Sequence, residues 1–437
     1  MKIHFIGIGG IGISGLAQYM HFNGHEVSGS DIADSLITKK LKSFGIKITV
    51  PHSEDAITDQ DLVVHSAIIR PDNPEVVAAK ERGIETLARR EALVQILADR
   101  KVYAVAGAHG KSTTTAILTA IMHGSAIIGA EAKEFGSNVR YERDTNTMLF
   151  EADESDGSFL NSNPYCAVVI NAEPEHMEYY DYNLDRFYDT YKRFINLATL
   201  RVLNAEDPFL EQLKGSVDAT WLTPSEDISE IEYILLRNEP YTQFRLKDLG
   251  LFKVWGFGEH IALDASLAIL AAHESMDIEE IRENILAFKG IKKRFDIVEA
   301  SDDVVIIDDY GHHPTEIKAT FQSVNEYAKL KHFKKITAIW QPHKYSRTLD
   351  NLEAFIECFG GADELIILPV YSVGEVPREI DFKEKFKEYN LTLADRILKV
   401  ERSIHIIKDD KNIATIDRGL IISFGAGDIT YQIRGEK

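Results

Sequence analysis

Twice within the first 122 residues, a short apolar segment runs into a glycine-rich turn and reopens as a helical stretch. The first instance is 3–6, GIGGIG at 7–12, then 13–22; the second is 101–106, GAHGKST at 107–113, then 114–122. Such a junction leaves backbone N–H groups free at a helix start, where phosphate oxygens are readily bound. The helix also carries the chain back, so the next strand lies parallel to the first. The pattern continues with strands expected at 25–28, 62–65, 148–150 and 167–171, and helices at 74–82 and 90–99. A third start comes at 304–307, followed by strands at 336–340, 365–368 and 420–423. The fold class is therefore α/β, with parallel sheets covered by helices. New starts near residues 100 and 290 divide the 437 residues into 1–100, 101–290 and 291–437. The stretch 224–258 departs from the pattern; 233–236, 244–246 and 252–254 read as short strands of an antiparallel appendage.

Composition removes several classes of function. Two cysteines, Cys166 and Cys358, exclude a disulfide framework and most structural zinc sites, and fit reduced thiols of a cytoplasmic protein. A formal charge of −20 argues against nucleic acid and anionic membrane surfaces, which require a basic face. The apolar N-terminal run is broken by glycines and does not read as a signal peptide. No stretch reads as a membrane span, so no membrane insertion is expected.

Four groups of residues carry chemistry. Gly7, Gly9, Gly10 and Gly12 form G-x-G-x-x-G, and Asp31 follows where a ribose-binding acid would stand. Alone, this motif fits a nicotinamide-dinucleotide oxidoreductase, another diphosphate ligand such as a nucleotide sugar, or a turn that only lets a helix pack closely. The second loop, Gly107, Ala108, His109, Gly110, Lys111, Ser112 and Thr113, is a phosphate cradle. Lys111 would reach the terminal phosphates and Ser112 would offer a hydroxyl to Mg²⁺. The acidic run at 151–156 ends a strand and suits Mg²⁺, against a plain solvated loop; Glu175-His176 ends the next strand. DDYGHHPTE at 308–316 and QPHKYSRT at 341–348 end two further strands. The second places His343, Lys344 and Arg347 together, a cationic cluster suited to a carboxylate or phosphate, against a solvated basic loop.

In this order, GIGGIG, GAHGKSTTT, EADESD, NAEPEHM, KKRFD, DDYGHHPTE and QPHKYSRT resemble the Mur ligase family across nearly the whole chain. The resemblance implies three domains: a Rossmann-like UDP-sugar domain, a central P-loop ATPase-type domain and a Rossmann-like C-terminal domain. It implies ATP and Mg²⁺ as cofactors, UDP-N-acetylmuramate and L-alanine as substrates, and amide formation through an acyl phosphate. It implies a cytoplasmic monomer or homodimer in peptidoglycan precursor synthesis. A tripeptide in place of alanine is one alternative; an NAD(P)-linked oxidoreductase is another, but leaves GAHGKST unexplained. A nucleotide sensor without turnover would not need Lys111, Glu151, His176 and Arg347 together.

Residue roles follow from the same resemblance. Gly7, Gly9, Gly10, Gly12, Asp31, Ser66, Ala67, Arg70, Asn73 and Arg89 would line the UDP-sugar cleft. The loop 107–113 with Arg294 and Asp309 would bind ATP; Ser112, Glu151 and His176 would hold the metal. Tyr310 and His312 would face the reacting centre, and Lys344 and Arg347 the carboxylate of the amino acid. Lys111, His176, His312 and Arg347 form the catalytic set. Two departures stand out: the family's H-N-x-x-N is His260-Ile261-Ala262-Leu263-Asp264 here, and Lys344 replaces a common arginine.

Overall fold

The computed structural model describes residues 1–436. The chain divides into two compact units, the first made of Met1–Glu230, Phe244–Val254 and Ala262–Lys289. The second comprises Ile231–Gln243, Trp255–Ile261 and the chain from Gly290 onward.

The first unit opens with β1 (Lys2–Ile6), α1 (Ile11–Phe22), β2 (Glu26–Ser30), α2 (Leu36–Ser43) and β3 (Lys47–Thr49). It continues through β4 (Leu62–His65), α3 (Pro74–Glu81), β5 (Glu85–Ala88) and α4 (Arg89–Ile96). These strands form a five-stranded parallel sheet in the order β3-β2-β1-β4-β5. The order reverses direction at β1, so its carboxyl end is a switch point where ligands collect. Both faces of β1 are buried, as a parallel strand requires: Ile3 and Phe5 on one side, Ile6 on the other.

The second sheet follows: β6 (Lys101–Ala106), α5 (Lys111–Ile121), β7 (Ser125–Ala132), β8 (Ser137–Arg140) and β9 (Thr147–Glu151). β10 (Pro164–Val169), α6 (Leu184–Leu197), β11 (Leu200–Asn204) and β12 (Thr220–Leu222) complete it. The order is β12-β11-β10-β6-β9-β7-β8, parallel except for the β7–β8 hairpin. One hydrophobic core runs from Ile3 and Phe5 through Val102 and Phe150 to Phe209, so the first two sheets share an interior. Gly15 permits the close approach of α1 to β7, because a Cβ there would stand 2.9 Å from Ile127 Cγ2.

Beyond β12 come α7 (Pro224–Asp227), β13 (Ile228–Leu236), β14 (Glu239–Leu246), β15 (Gly250–Trp255), α8 (Glu259–His273) and α9 (Ile278–Asn284). β13, β14 and β15 form the expected small sheet, with longer strands than the sequence suggested.

The second unit holds β16 (Asp296–Ala300), β17 (Val304–Asp309), α10 (Pro314–Leu330), β18 (Ile336–Trp340), α11 (Tyr345–Asp350) and α12 (Leu352–Ile356). It then runs through β19 (Glu364–Ile367), α13 (Phe382–Lys385), β20 (Leu391–Leu393), β21 (Arg396–Val400), β22 (Ser403–Lys408), β23 (Lys411–Ile416), β24 (Gly419–Phe424) and α14 (Ile429–Arg434). Its main sheet is β16-β17-β24-β18-β19-β20, parallel except at β16. The antiparallel β21-β22-β23 sheet was not anticipated.

Several boundaries move against expectation. The helix placed at 90–99 ends at Ile96, where fully buried Leu97 serves as its C-cap. The strand placed at 25–28 runs on to Ser30, whose carbonyl receives the glycine loop. The strand placed at 167–171 stops at Val169, which leaves the Asn171 side chain free to turn toward the phosphate loop.

Candidate active site

The glycine loop between β1 and α1 is folded onto the end of β2. Gly7, with φ of 77°, lies in the left-handed region that glycine tolerates best. Gly7 and Ile8 donate their N–H groups to the Ser30 carbonyl at 2.9 and 3.0 Å. Gly9 N–H donates to Asp31 Oδ2 at 2.8 Å, and Ile32 N–H to Oδ1 at 2.8 Å. Asp31 therefore spends both carboxylate oxygens on its own backbone. Ser66 lies beside Gly7, where an added Cβ would come within 3.2 Å of the Ser66 Cβ. Arg89, the first residue of α4, lays its guanidinium against Gly12. Arg89 Nη1 donates to Ser158 Oγ at 3.3 Å and stands 4.0 and 3.9 Å from Asp153 and Asp156. Its Nε is buried without a hydrogen-bond partner and aims at the loop. Asn73 caps α3 by accepting from Glu75 N–H, while Ala67 and Arg70 are exposed.

The second loop is braced differently. Gly110 adopts φ of 84° at the N-cap of α5. The Asn171 side chain clamps the loop from the next strand end: His109 N–H donates to its Oδ1 at 3.1 Å, and its Nδ2 donates to the His109 carbonyl at 3.2 Å. Lys111 Nζ donates to the carbonyls of Gly107 and Ala108 and pairs with Glu154 Oε1 at 3.0 Å. The Glu154 side chain is 2% exposed, and its Oε2 has no partner. Burial pushes the Glu154 carboxyl above its ordinary range against the pull of Lys111. Ser112 and Thr113 open α5, with Gly107 and Thr113 buried.

The metal candidates Glu151 and His176 lie at the end of β9 and in the segment after β10, the two strands that flank β6. Glu151 closes β9 and accepts from Gly129 N–H at 2.6 Å. His176 is exposed, with a left-handed φ of 51°. Among the described residues, no three His, Cys, Asp or Glu side chains converge as a ready metal cage. Mg²⁺ bound beside a triphosphate needs none, since phosphate oxygens and water complete its shell around one or two protein oxygens. The oxygens of Ser112 and Glu151 suit that role.

In the second unit the site residues gather at the carboxyl ends of β17 and β18. Asp309, the last residue of β17, is buried and accepts from Phe295 N–H at 2.7 Å and Gly311 N–H at 2.8 Å. Burial pushes its carboxyl up to about 7, against those hydrogen bonds and Arg294. The adjacent Asp308 has a different role. It accepts from Arg434 Nε at 2.8 Å, Thr430 Oγ1 at 2.6 Å and Ser423 Oγ at 3.1 Å, and so ties α14 to the sheet.

Glu316 organises the turn that follows β17. Its Oε2 accepts from His312 N–H at 3.1 Å and His313 N–H at 3.2 Å, and its Oε1 lies 4.0 Å from Arg294. The His312 Nδ1 lies 3.1 Å from the Tyr310 carbonyl. Burial, reinforced by Arg347, lowers the His312 pKa despite the nearby Glu316. Arg347 Nη1 donates to His343 Nδ1 at 2.9 Å, and the His343 ring stacks on Tyr371. Burial and Arg347 bring His343 down to about 4, which keeps its Nδ1 lone pair available. Lys344 has φ of 67°, and its N–H donates to the Tyr371 carbonyl at 2.9 Å. Glu375 accepts from Ser346 N–H at 3.1 Å and Ser346 Oγ at 2.5 Å.

The sequence reading passed over Glu154, Asn171, Glu316 and Glu375 as individual residues. Glu154, Asn171 and Glu316 stood inside motifs already singled out. Nothing in the spacing marks Asn171 as the clamp of a loop 62 residues away, or Glu375 as the partner of a residue 29 away.

Two phosphate-type loops at separate strand ends, with acids beside one of them, describe a nucleotide-using enzyme. Residues 2–101 match the family described as Mur ligase family, catalytic domain, and residues 293–423 match Mur ligase, glutamate ligase domain. The chain belongs to the Mur ligase family.

Within it, the chain is 54% identical to the UDP-N-acetylmuramate–L-alanine ligase of Campylobacter curvus over 434 residues, covering 99% of each chain. It is 55% identical to the ligase of the same name from Helicobacter pylori strain P12, covering 100% of this chain and 96% of the relative. Among solved structures, the UDP-N-acetylmuramate–alanine ligase of Thermotoga maritima superposes with a TM-score of 0.81 at 27% identity, covering 99% and 97%. A murein peptide ligase of Psychrobacter arcticus shares the fold, with a TM-score of 0.63 at 20% identity.

Proposed function

We propose that this chain joins L-alanine to the lactyl carboxylate of UDP-N-acetylmuramate at the expense of ATP, in the cytoplasm, during peptidoglycan precursor synthesis. The observation that carries this reading is its end-to-end identity of more than half with the Campylobacter and Helicobacter ligases. The two loops fit the two phosphate-bearing substrates. The glycine loop and Arg89, with its unpartnered Nε, take the UDP diphosphate; Asp31, Ser66, Ala67, Arg70 and Asn73 edge that cleft. The loop 107–113 takes ATP, and Arg294 and Asp309 contact the nucleotide.

The γ-phosphoryl group passes to the lactyl carboxylate, giving an acyl phosphate and ADP. The alanine amine then attacks the acyl carbon, and phosphate leaves as the amide forms. Lys111 balances charge on the transferring group, which is most of what phosphoryl transfer asks of a protein. Ser112, Glu151 and His176 would hold Mg²⁺, which would supply further charge neutralisation at the phosphates. Lys344 and Arg347 bind the alanine carboxylate. Tyr310 and His312 border the reacting centre, and His312, kept neutral near pH 7 by burial, can take the amine proton.

The test is phosphate release from Mg-ATP with UDP-N-acetylmuramate and, separately, L-alanine, glycine, L-serine or a tripeptide. Release that requires both the sugar and L-alanine supports the reading. Release with the tripeptide alone would assign the chain to peptide recycling, and no release in any pairing would refute the ligase.

A further inference from the structure

One buried carboxylate of the first unit gathers hydrogen bonds from β1, β2 and the segment that follows β3. Glu75, in the first turn of α3, is fully buried. Its Oε2 accepts from Ser30 Oγ and from His4 Nε2, the latter at 3.3 Å, and its Oε1 accepts from Ser53 N–H at 2.9 Å. His52 Nδ1 pairs with Ser30 Oγ at 2.9 Å, and His4 Nδ1 pairs with Ser28 Oγ at 2.9 Å. Burial would raise the Glu75 carboxyl, but the bonds from His4, Ser30 and Ser53 more than offset it and hold it below its ordinary value. The group is a buried anion whose oxygens are all engaged. None of these side chains belongs to the catalytic set.

The connections lead to the ligand end of the sheet. Ser30 is the last residue of β2, and its carbonyl takes both Gly7 N–H and Ile8 N–H. Asp31, next in the chain, takes Gly9 N–H. On the other side, Glu75 N–H donates to Asn73, at the end of the segment 66–73 that follows β4. His4 lies in β1, two residues before the strand ends at Ile6. Glu75 thus links β1, β2 and the start of α3, the three elements from which the glycine loop and its neighbours emerge.

We propose that Glu75 is the positioning residue of the diphosphate site: it fixes the carboxyl ends of β1 and β2 and the start of α3 in one geometry, and so anchors the glycine loop through Ser30 and Asp31 such that the N–H groups at the start of α1 are presented to the ligand. A fully satisfied buried polar network specifies one arrangement, whereas a partly satisfied one does not. The proposal rests on the reading that the glycine loop binds the UDP-sugar.

Glu75→Gln keeps the shape of the side chain but turns one oxygen into a donor facing the donors Ser30 and His4. Its effect should appear as about a tenfold rise in Kd and KM for UDP-N-acetylmuramate. The KM values for ATP and L-alanine and the kcat at saturation should stay within about twofold of wild type. Val76→Ala, which opens a cavity in the same helix without touching the network, is the control for stability alone and should leave the sugar Kd unchanged while lowering Tm. Wild-type titration separates the two levels of inference: if wild type does not bind the UDP-sugar, the site reading fails. If wild type binds and Glu75→Gln binds equally well, or if Val76→Ala weakens binding as much, the positioning role is overturned.

Discussion

The two strand–glycine–helix loops of the first unit are braced by opposite internal charges. In the glycine loop, an acid occupies a backbone donor: Asp31 accepts from Gly9 N–H, and the guanidinium that lies against Gly12, that of Arg89, comes from α4. In the loop at 107–113, a base belongs to the loop itself, and Lys111 is balanced by buried Glu154. A loop without its own cation binds phosphate through dipoles and one borrowed charge, which suits a ligand that is held and released unchanged. A loop carrying its own lysine follows charge as it moves, which suits a phosphoryl group in transfer. Under the proposed function, this difference assigns the UDP-sugar to the first loop and ATP to the second.

The largest effect expected from breaking this comparison is that of Lys111→Ala. Turnover should fall by about 10³-fold or more, as when a principal charge-stabilising donor is lost, and steady-state phosphate release would measure it. Gly9→Ala acts on the other loop. Its Cβ would lie 2.8 Å from Asp31 Oδ2 and displace that carboxylate from the loop. The Kd for UDP-N-acetylmuramate should rise about tenfold, with ATP affinity unchanged by titration calorimetry.

Glu154→Gln sharpens the claim about internal charge. It leaves Lys111 without its counter-ion, so the ligand-free protein should lose about 1–3 kcal/mol of stability. Added ATP should then raise Tm by more than it does in wild type, because the phosphates replace the lost carboxylate. Differential scanning fluorimetry with and without ATP checks both parts.

The smallest effect concerns the second unit and pH. The Asp309 carboxyl is raised to about 7 in the folded protein. Its contribution to stability is therefore full below the ordinary carboxylate range and is lost as pH rises through about 7. Relative to Asp309→Asn, wild type should become progressively less stable from pH 5 to 8 in chemical unfolding. An unchanged difference across that window would contradict the buried, raised carboxyl.

The parallel sheets and both loops were legible in the sequence because glycine turns, apolar strands and polar strand ends recur in a fixed order. The β21-β22-β23 sheet was not, because β23 is exposed at five of its six positions and shows no burial alternation. α6 was passed over although Phe187, Tyr191 and Phe194 recur at helical spacing and are all buried. Within the candidate site, the residues proposed to touch ligands stood out by type and place. Their supports did not, because Asn171, Glu75 and Glu375 act through contacts distant in sequence that no local pattern encodes. The pair Asp308-Asp309 shows the limit clearly. Two identical neighbours point to opposite faces of one strand, and only the fold tells the acid that ties α14 to the sheet from the one that accepts from Phe295 and Gly311 beside the candidate site.

The most direct test of the two-loop account is calorimetric titration of UDP-N-acetylmuramate into Lys111→Ala in the absence of ATP. The account predicts a Kd within about twofold of wild type despite the loss of turnover. Loss of sugar binding in parallel with turnover, in a variant that remains folded, would show that the loops do not serve separate ligands.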